Sequence, residues 1–79
     1  MLGQDEVMDE KLIEFAVFCI ENLAVDLGRD ATEVYDLLAK DSDILHGYIL
    51  PCYEPLHSQD KDYIIEDIKQ VMRERGVLA

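Results

Sequence analysis

Apolar residues recur with helical spacing along most of the chain, most clearly between residues 12 and 27. On a helix, this stretch gathers its apolar residues on one broad face: Leu12, Ile13, Ala16, Val17, Cys19, Ile20, Leu23, Ala24 and Leu27. That face covers roughly 200°, about twice the width of the stripe on a surface helix. Such a helix must be contacted from more than one side, so the pattern predicts the central helix of a small bundle.

The flanking residues predict where this first helix and the next one end. Acidic residues crowd the start, where negative charge suits the free N–H groups, and the first helix is expected over about 7–27. Gly28 suits the left-handed conformation that closes a helix. Asp30 predicts the cap of a second helix over 31–40, with Glu33 reaching back to form a capping box.

A third, short helix is predicted over 43–50, and proline limits it. Its apolar residues recur at helical spacing: Ile44, Leu45, Tyr48 and Ile49. Pro51 should stop or kink the helix, because proline has no N–H to donate. The segment 51–55 is therefore expected to form a turn or a single helical turn.

The last helix is predicted over 61–75, with Ser58 or Asp60 as its cap. Gly76 offers a left-handed exit, from which Val77 can fold back on the preceding turn. No stretch alternates as a strand does. The predicted fold is an all-α, four-helix bundle-like domain over residues 1–79, with a long central first helix and two short middle helices.

The composition fits one small, strongly acidic domain. The 79 residues are 49% apolar, too hydrophobic for a disordered chain. The net charge of −11 lies entirely in residues 1–60, which hold 14 acidic and 3 basic residues. Such a field opposes binding to nucleic acid or anionic membranes and favours solubility and basic partners. The acidic residues therefore form either an ordinary solvated surface or a binding surface for a basic protein.

The cysteines and the first residues predict a cytoplasmic protein. Cys19 lies on the apolar face of the first helix, where a thiol acts as a small hydrophobe, and Cys52 is the only other cysteine. Two cysteines do not make a disulfide scaffold. The acidic start has no signal-peptide pattern, and the longest apolar run is too short for a membrane span.

Several apolar and aromatic residues lie outside the predicted core. Phe18 and Val25 fall on the polar side of the first helix, where the third helix or the 51–56 turn covers them or they contact a partner. Tyr63 shares the polar face of the last helix with Asp67. It either covers the preceding loop or contributes to binding, as interface tyrosines do.

The segment from Tyr53 to His57 carries chemically capable groups but no recognisable site. Nothing basic lies between Lys40 and Lys61 to activate Cys52 as a nucleophile. The His46, Cys52, His57 spacing matches no zinc module. We therefore expect no enzyme activity, metal or cofactor, and interpret Tyr53 and His57 as candidate partner-binding residues.

Four segments, IEFAVFCIE, YDLL, GYILPCYEPLHSQ and KDYIIEDI, resemble the bacterial domain-of-unknown-function family 3791 over about residues 11–75. The most specific part is the order Tyr53, Leu56, His57, Tyr63, Ile64, Asp67 and Ile68. Members often have Leu-His-Thr-Gln-Gly where this chain has Leu-His-Ser-Gln-Asp. The resemblance implies a small cytoplasmic protein, often encoded beside a gene whose product looks similar to ADP-ribosyltransferase-type toxins.

Three functions follow as expectations. The first is an acidic protein-interaction module, antitoxin-like or accessory to a toxin or effector-type protein, as the resemblance implies. The second is a homodimeric structural domain that pairs through Phe18 and Val25. The third is a nucleic-acid mimic that uses the acids between Asp26 and Asp43 to inhibit a DNA-binding protein.

Overall fold

The computed structural model describes the backbone of residues 3–78 and the side chains of residues 10–78. Over residues 3–78, five helical segments occur in this order: α1 (Gly3–Leu27), α2 (Ala31–Ala39), a π-helix (Leu45–Ile49), α3 (Tyr53–His57) and α4 (Lys61–Glu74). No strand occurs between residues 3 and 78, which confirms the all-α fold class. The predicted domain spans 1–79, of which residues 1, 2 and 79 lie outside the described part. No helix over the described residues has the length and apolar character to cross a membrane.

Two glycines end helices in the left-handed conformation, as the sequence predicts. Gly28 has φ +68° directly after α1, and Gly76 has φ +80° after α4. Beyond Gly76, the N–H of Val77 donates to the carbonyl oxygen of Met72 at 3.0 Å. Val77 also packs against the core. The hydrogen bond from Val77 satisfies a carbonyl that the helix end would otherwise leave unpaired.

The helix starts differ in how they are capped. The side chain of Asp60 accepts a hydrogen bond from the N–H of Tyr63 at 2.9 Å, so Asp60 caps α4. The capping box predicted for α2 is wrong, because the side chain of Asp30 makes no capping hydrogen bond. Asp30 and Glu33 are both exposed, and water can satisfy the first N–H groups of α2 instead.

A π-helix replaces most of the third helix predicted over 43–50. The N–H of Leu50 donates to the carbonyl oxygen of Leu45, five residues earlier, at 3.0 Å. In an α-helix, residues five apart point about 140° away from each other, whereas the wider π turn brings them nearly into line. Ile44 and Ile49 can therefore both be fully buried. Pro51 follows directly and cannot donate to a regular helical ladder.

The core lies where the C-terminal half of α1 meets the other helices. Its buried members are Phe15, Cys19, Ile20, Leu23, Ala24, Val34, Leu38, Ile44, Leu45, Ile49, Leu56, Ile64, Ile65, Ile68 and Met72. No polar or charged side chain of residues 10–78 is buried. At the edge, Lys69 donates to Asp26 at 2.7 Å and to Glu66 at 3.1 Å. Both hydrogen bonds raise the pKa of Lys69, and the one to Asp26 connects α4 to the end of α1.

One side of α1 departs from the prediction of an enclosed central helix. Ile13 and Val17 belong to its apolar face, yet both are exposed. The reason is direction around the helix: the buried residues Leu23, Cys19 and Phe15 point about 80–160° away from Ile13. The neighbouring helices therefore cover one side of the predicted apolar face and leave the side that carries Ile13 and Val17 exposed.

Candidate protein-interaction surfaces

An apolar groove runs along the side of α1 that carries Ile13 and Val17. One side is formed by α1 and the other by α2 and the π-helix region, and the volume is about 520 Å³. Its lining residues are Leu12, Ile13, Ala16, Val17, Ile20, Tyr35, Leu45, His46 and Leu50. We call this the α1 groove. A depression of about 290 Å³ that shares Val17, Ile20 and Tyr35 extends it toward Ala31 at the start of α2.

The α1 groove collects much of the protein's exposed apolar surface. Six large apolar or aromatic side chains are exposed among residues 10–78, and three of them line the groove. Ile13 is 59% exposed, Val17 45% and Tyr35 41%. Single exposed apolar side chains are ordinary on protein surfaces, whereas these three converge on one groove, which makes the groove a candidate site of interaction.

One edge of the α1 groove is acidic. Glu10, Glu14 and Glu21 are exposed and follow one another at helical spacing on α1, within about 40° of arc beside the Ile13–Val17 stripe. Glu21 also lines the adjoining depression. None of the described residues that line the groove is a lysine or arginine. We call these three glutamates the acidic edge.

The sequence analysis did not identify the α1 groove, since it assigned its α1 side to the core. The missed signal was the width of the apolar face. The predicted face covers roughly 200° of the first helix, and the structure leaves one margin of it, with Ile13 and Val17, exposed. Tyr35 was also counted on the apolar face of the second helix, whereas the structure leaves it at the rim of the groove.

Three of the predicted partner-binding residues meet in an aromatic cluster on another part of the surface. The ring of Phe18 stacks on that of Phe15 with centroids 6.3 Å apart. Phe15 meets Tyr53 edge-on at 5.3 Å, and Tyr53 stacks on His57 at 4.3 Å. The cluster fastens α3 to α1. Phe18 remains 37% exposed at its end, whereas Val25 is 83% exposed.

His57 has a local structural role in this cluster. Its ring lies nearly parallel to that of Tyr53, at 8°. Its Nε2 is 3.6 Å from a carboxylate oxygen of Glu54, one turn earlier on α3. Both side chains are substantially exposed, so the pair contributes little to stability. The stacking covers one face of Tyr53 and helps to hold its ring against Phe15.

The remaining predicted residues, Tyr63 and Asp67, lie on α4 with different surroundings. Tyr63 is 52% exposed, whereas Asp67 is half-buried and accepts a hydrogen bond from the hydroxyl of Tyr48. This hydrogen bond, together with partial burial, raises the pKa of Tyr48. Asp67 therefore connects α4 to the π-helix, whereas Tyr63 is exposed on the surface of α4.

Replacing Tyr48 by phenylalanine is expected to lower the free energy of unfolding by about 1 kcal/mol, since a partly exposed hydrogen bond to a carboxylate is lost. The raised pKa of Tyr48 fixes the pH dependence. The hydrogen bond contributes its full stabilisation below about pH 10, the pKa of an unfolded tyrosine. This stabilisation declines as the pH rises toward the pKa of Tyr48 in the folded protein.

Urea unfolding of both proteins between pH 7 and pH 11 measures this difference. The matched control is Tyr63→Phe, which alters an exposed tyrosine on the same helix as Asp67 and should change stability by less than about 0.5 kcal/mol. If the difference in free energy of unfolding between the wild type and Tyr48→Phe grew above pH 10, the raised pKa of Tyr48 in the folded protein would be contradicted.

Neither cysteine forms the centre of a reactive or metal-binding group. The core encloses Cys19, and this burial raises the pKa of its thiol to about 12. The thiol is therefore protonated at neutral pH. Cys52 is half-buried and free. Within the side chains of residues 10–78, no three His, Cys, Asp or Glu groups are arranged to hold a metal ion. The most distinctive surface is therefore the α1 groove.

Comparison with known proteins supplies the family. The family model described as "Protein of unknown function (DUF3791)" matches residues 14–75, which reach from the middle of α1 to the end of α4. Neither a curated protein nor a solved structure matched the chain. Because the matched residues make up most of the sequence and most of the helical fold, the chain belongs to the DUF3791 family.

Proposed function

We propose that the protein is a small protein-binding module, and that the α1 groove receives an apolar segment of its partner. One observation carries the proposal: Ile13, Val17 and Tyr35, all exposed, converge on one groove that no described segment of the chain covers. The implied toxin or effector-type partner would make this an antitoxin-like or accessory role, in which the small acidic domain covers a surface of the larger protein.

The physical gain comes from removing those side chains from water. Complete burial of a large apolar side chain contributes about 1.5–3 kcal/mol, and these three are each roughly half exposed already. Together they supply a few kcal/mol, which is the scale on which a small number of central residues dominates an interface. The volume of about 520 Å³ is also within the common range for binding clefts.

Self-association is a second candidate, which the exposed Phe18 and Val25 favour. They lie seven residues apart on α1, so they share one side of the helix. Two copies would each bring a net charge of −11 to such a contact, and this repulsion opposes pairing. Phe18 also has an intramolecular partner in Phe15, which leaves less of its ring to bury.

Aspartate substitutions in the α1 groove test the proposal. We expect Ile13→Asp and Val17→Asp each to weaken partner binding about 30-fold, equivalent to the ~2 kcal/mol lost at a central interface residue. Both positions are exposed, so both variants should keep the wild-type circular dichroism spectrum. The partner is the protein that co-purifies with the chain from its native cell, identified by mass spectrometry and then purified for titration calorimetry.

Val25→Asp is the matched control, because Val25 is on the same helix and more exposed than Ile13. It should bind the partner with wild-type affinity. If the groove variants bind normally while Phe18→Asp or Tyr63→Ala does not, the interface lies on the aromatic cluster or on α4, and the groove proposal fails.

A further inference from the structure

We infer that the segment received by the α1 groove is an amphipathic helix with basic residues beside its apolar stripe. This inference rests on the proposed function and specifies the partner's chemistry. Two independent features of the groove point to it, namely its shape between helices and the sign of the charge along its edge.

The shape favours a helix over other peptide conformations. The α1 side of the groove consists of residues at i and i+4 spacing, with Leu12, Ala16 and Ile20 in one row and Ile13 and Val17 in the next. Ala16 is the smallest side chain of this surface and provides depth between its larger neighbours. A helix that inserts residues at i, i+3 or i+4 and i+7 matches this arrangement.

Two other modes of peptide binding do not fit. Adding a strand requires an exposed sheet edge, and no strand occurs between residues 3 and 78. Recognition of a polyproline helix relies on a groove lined with aromatic rings. Among the described residues that line the α1 groove, Tyr35 is the single Phe, Tyr or Trp.

The charge determines what flanks the apolar stripe of the occupant. Glu10, Glu14 and Glu21 border the groove, whereas the nearest basic residue in sequence, Lys11, points about 100° further around α1 from Glu10. Lysine or arginine on the incoming helix would meet this acidic edge. A second copy of the chain would instead present its own acidic edge, and anionic nucleic acid or lipid would be repelled.

Synthetic helical peptides provide a direct test. The first probe has about 16 residues, with leucines at i, i+4, i+7 and i+11, lysines beside the stripe and one tryptophan. The second probe replaces those lysines by glutamate. The protein contains no tryptophan, so peptide fluorescence reports binding without background. We expect the lysine peptide to bind at least tenfold more tightly than the glutamate peptide, and to weaken as salt is raised.

Variants of the protein locate the contact. The triple variant Glu10→Gln, Glu14→Gln, Glu21→Gln should reduce the preference for the lysine peptide to less than threefold. The control Glu33→Gln, Asp62→Asn, Glu74→Gln removes the same charge from exposed positions on α2 and α4 and should retain the preference. Ile13→Asp should weaken binding of the lysine peptide at least tenfold, which separates groove binding from diffuse charge attraction.

Several outcomes would overturn the inference. They are equal binding of both peptides, binding of neither, an unchanged preference in the triple variant, or insensitivity to Ile13→Asp. A dimer of the free chain by light scattering that Ile13→Asp dissociates would show that a second copy fills the groove. If the co-purified partner still requires Ile13 while the peptides show no charge preference, the proposed function stands and the basic helix does not. If the co-purified partner binds the Ile13→Asp variant with wild-type affinity, the proposed function itself fails.

Discussion

Truncating Leu23 to alanine is expected to lower the free energy of unfolding by about 3 kcal/mol, through lost apolar burial and the cavity left behind. Leu23 is fully buried on α1, in the half of the helix that the other elements enclose. It belongs to a core in which fifteen of residues 10–78 are buried. A domain of 79 residues has a total stability of roughly 4–12 kcal/mol, so this one change removes a large fraction of it.

Urea unfolding followed by circular dichroism measures this loss. Val25→Ala is the matched control, since it is two residues away on the same helix and 83% exposed, and it should change stability by less than about 0.5 kcal/mol. If the two variants lose similar amounts, or Leu23→Ala loses less than about 1 kcal/mol, the assignment of the core to this half of α1 is wrong.

The helical order of the protein could be predicted because local chemistry specifies it. Gly28 and Gly76 permit a left-handed conformation that other residues rarely adopt, and both hold it in the structure. Asp60 carries a side chain of the right length to cap the following helix and does so. These signals act within a few residues, so they do not depend on how the helices pack.

The parts that could not be predicted depend on packing between distant segments. The π-helix forms at a point where Ile44 and Ile49 must both reach the core, a demand that arises only once α1 and α2 are in place. Asp30 was predicted to cap α2 but makes no capping hydrogen bond. Because water can satisfy the same N–H groups, the sequence pattern alone cannot decide whether the cap forms. Tertiary context decides both cases.

The candidate surfaces show the same division. Phe18, Tyr53 and His57 were singled out separately, on the polar side of a helix and on a proline-framed segment, and the structure joins them through Phe15. Their contact depends on where α3 packs, which no local pattern encodes. The α1 groove escaped prediction because Ile13 lies on the predicted apolar face of α1, whereas the neighbouring elements leave that side of the helix exposed.

Replacing Phe15 by alanine should destabilise the protein about as much as Leu23→Ala, lowering the free energy of unfolding by about 3 kcal/mol. Phe15 is buried and is the residue through which Tyr53 of α3 packs against α1. The loss combines the apolar area of a phenylalanine with its edge-on contact to Tyr53, since such aromatic pairs contribute about 0.5–1.5 kcal/mol beyond their burial.

Two further variants separate these contributions. Phe15→Leu keeps most of the apolar volume and loses the aromatic contact, so it should cost about 1 kcal/mol. Phe18→Ala removes a ring that is 37% exposed and should cost clearly less than Phe15→Ala.

Hydrogen exchange tests the role of Phe15 in holding α3. Because α3 has only five residues and depends on tertiary contacts to remain helical, Phe15→Ala should also reduce the hydrogen-exchange protection of the Leu56 N–H, which donates to the carbonyl oxygen of Cys52. The protection of the Ile68 N–H in α4 should fall only as much as the free energy of unfolding of the whole domain falls. If Leu56 and Ile68 lose protection to the same extent, or if Phe18→Ala is the more destabilising change, Phe15 is not the residue that holds α3 against the central helix.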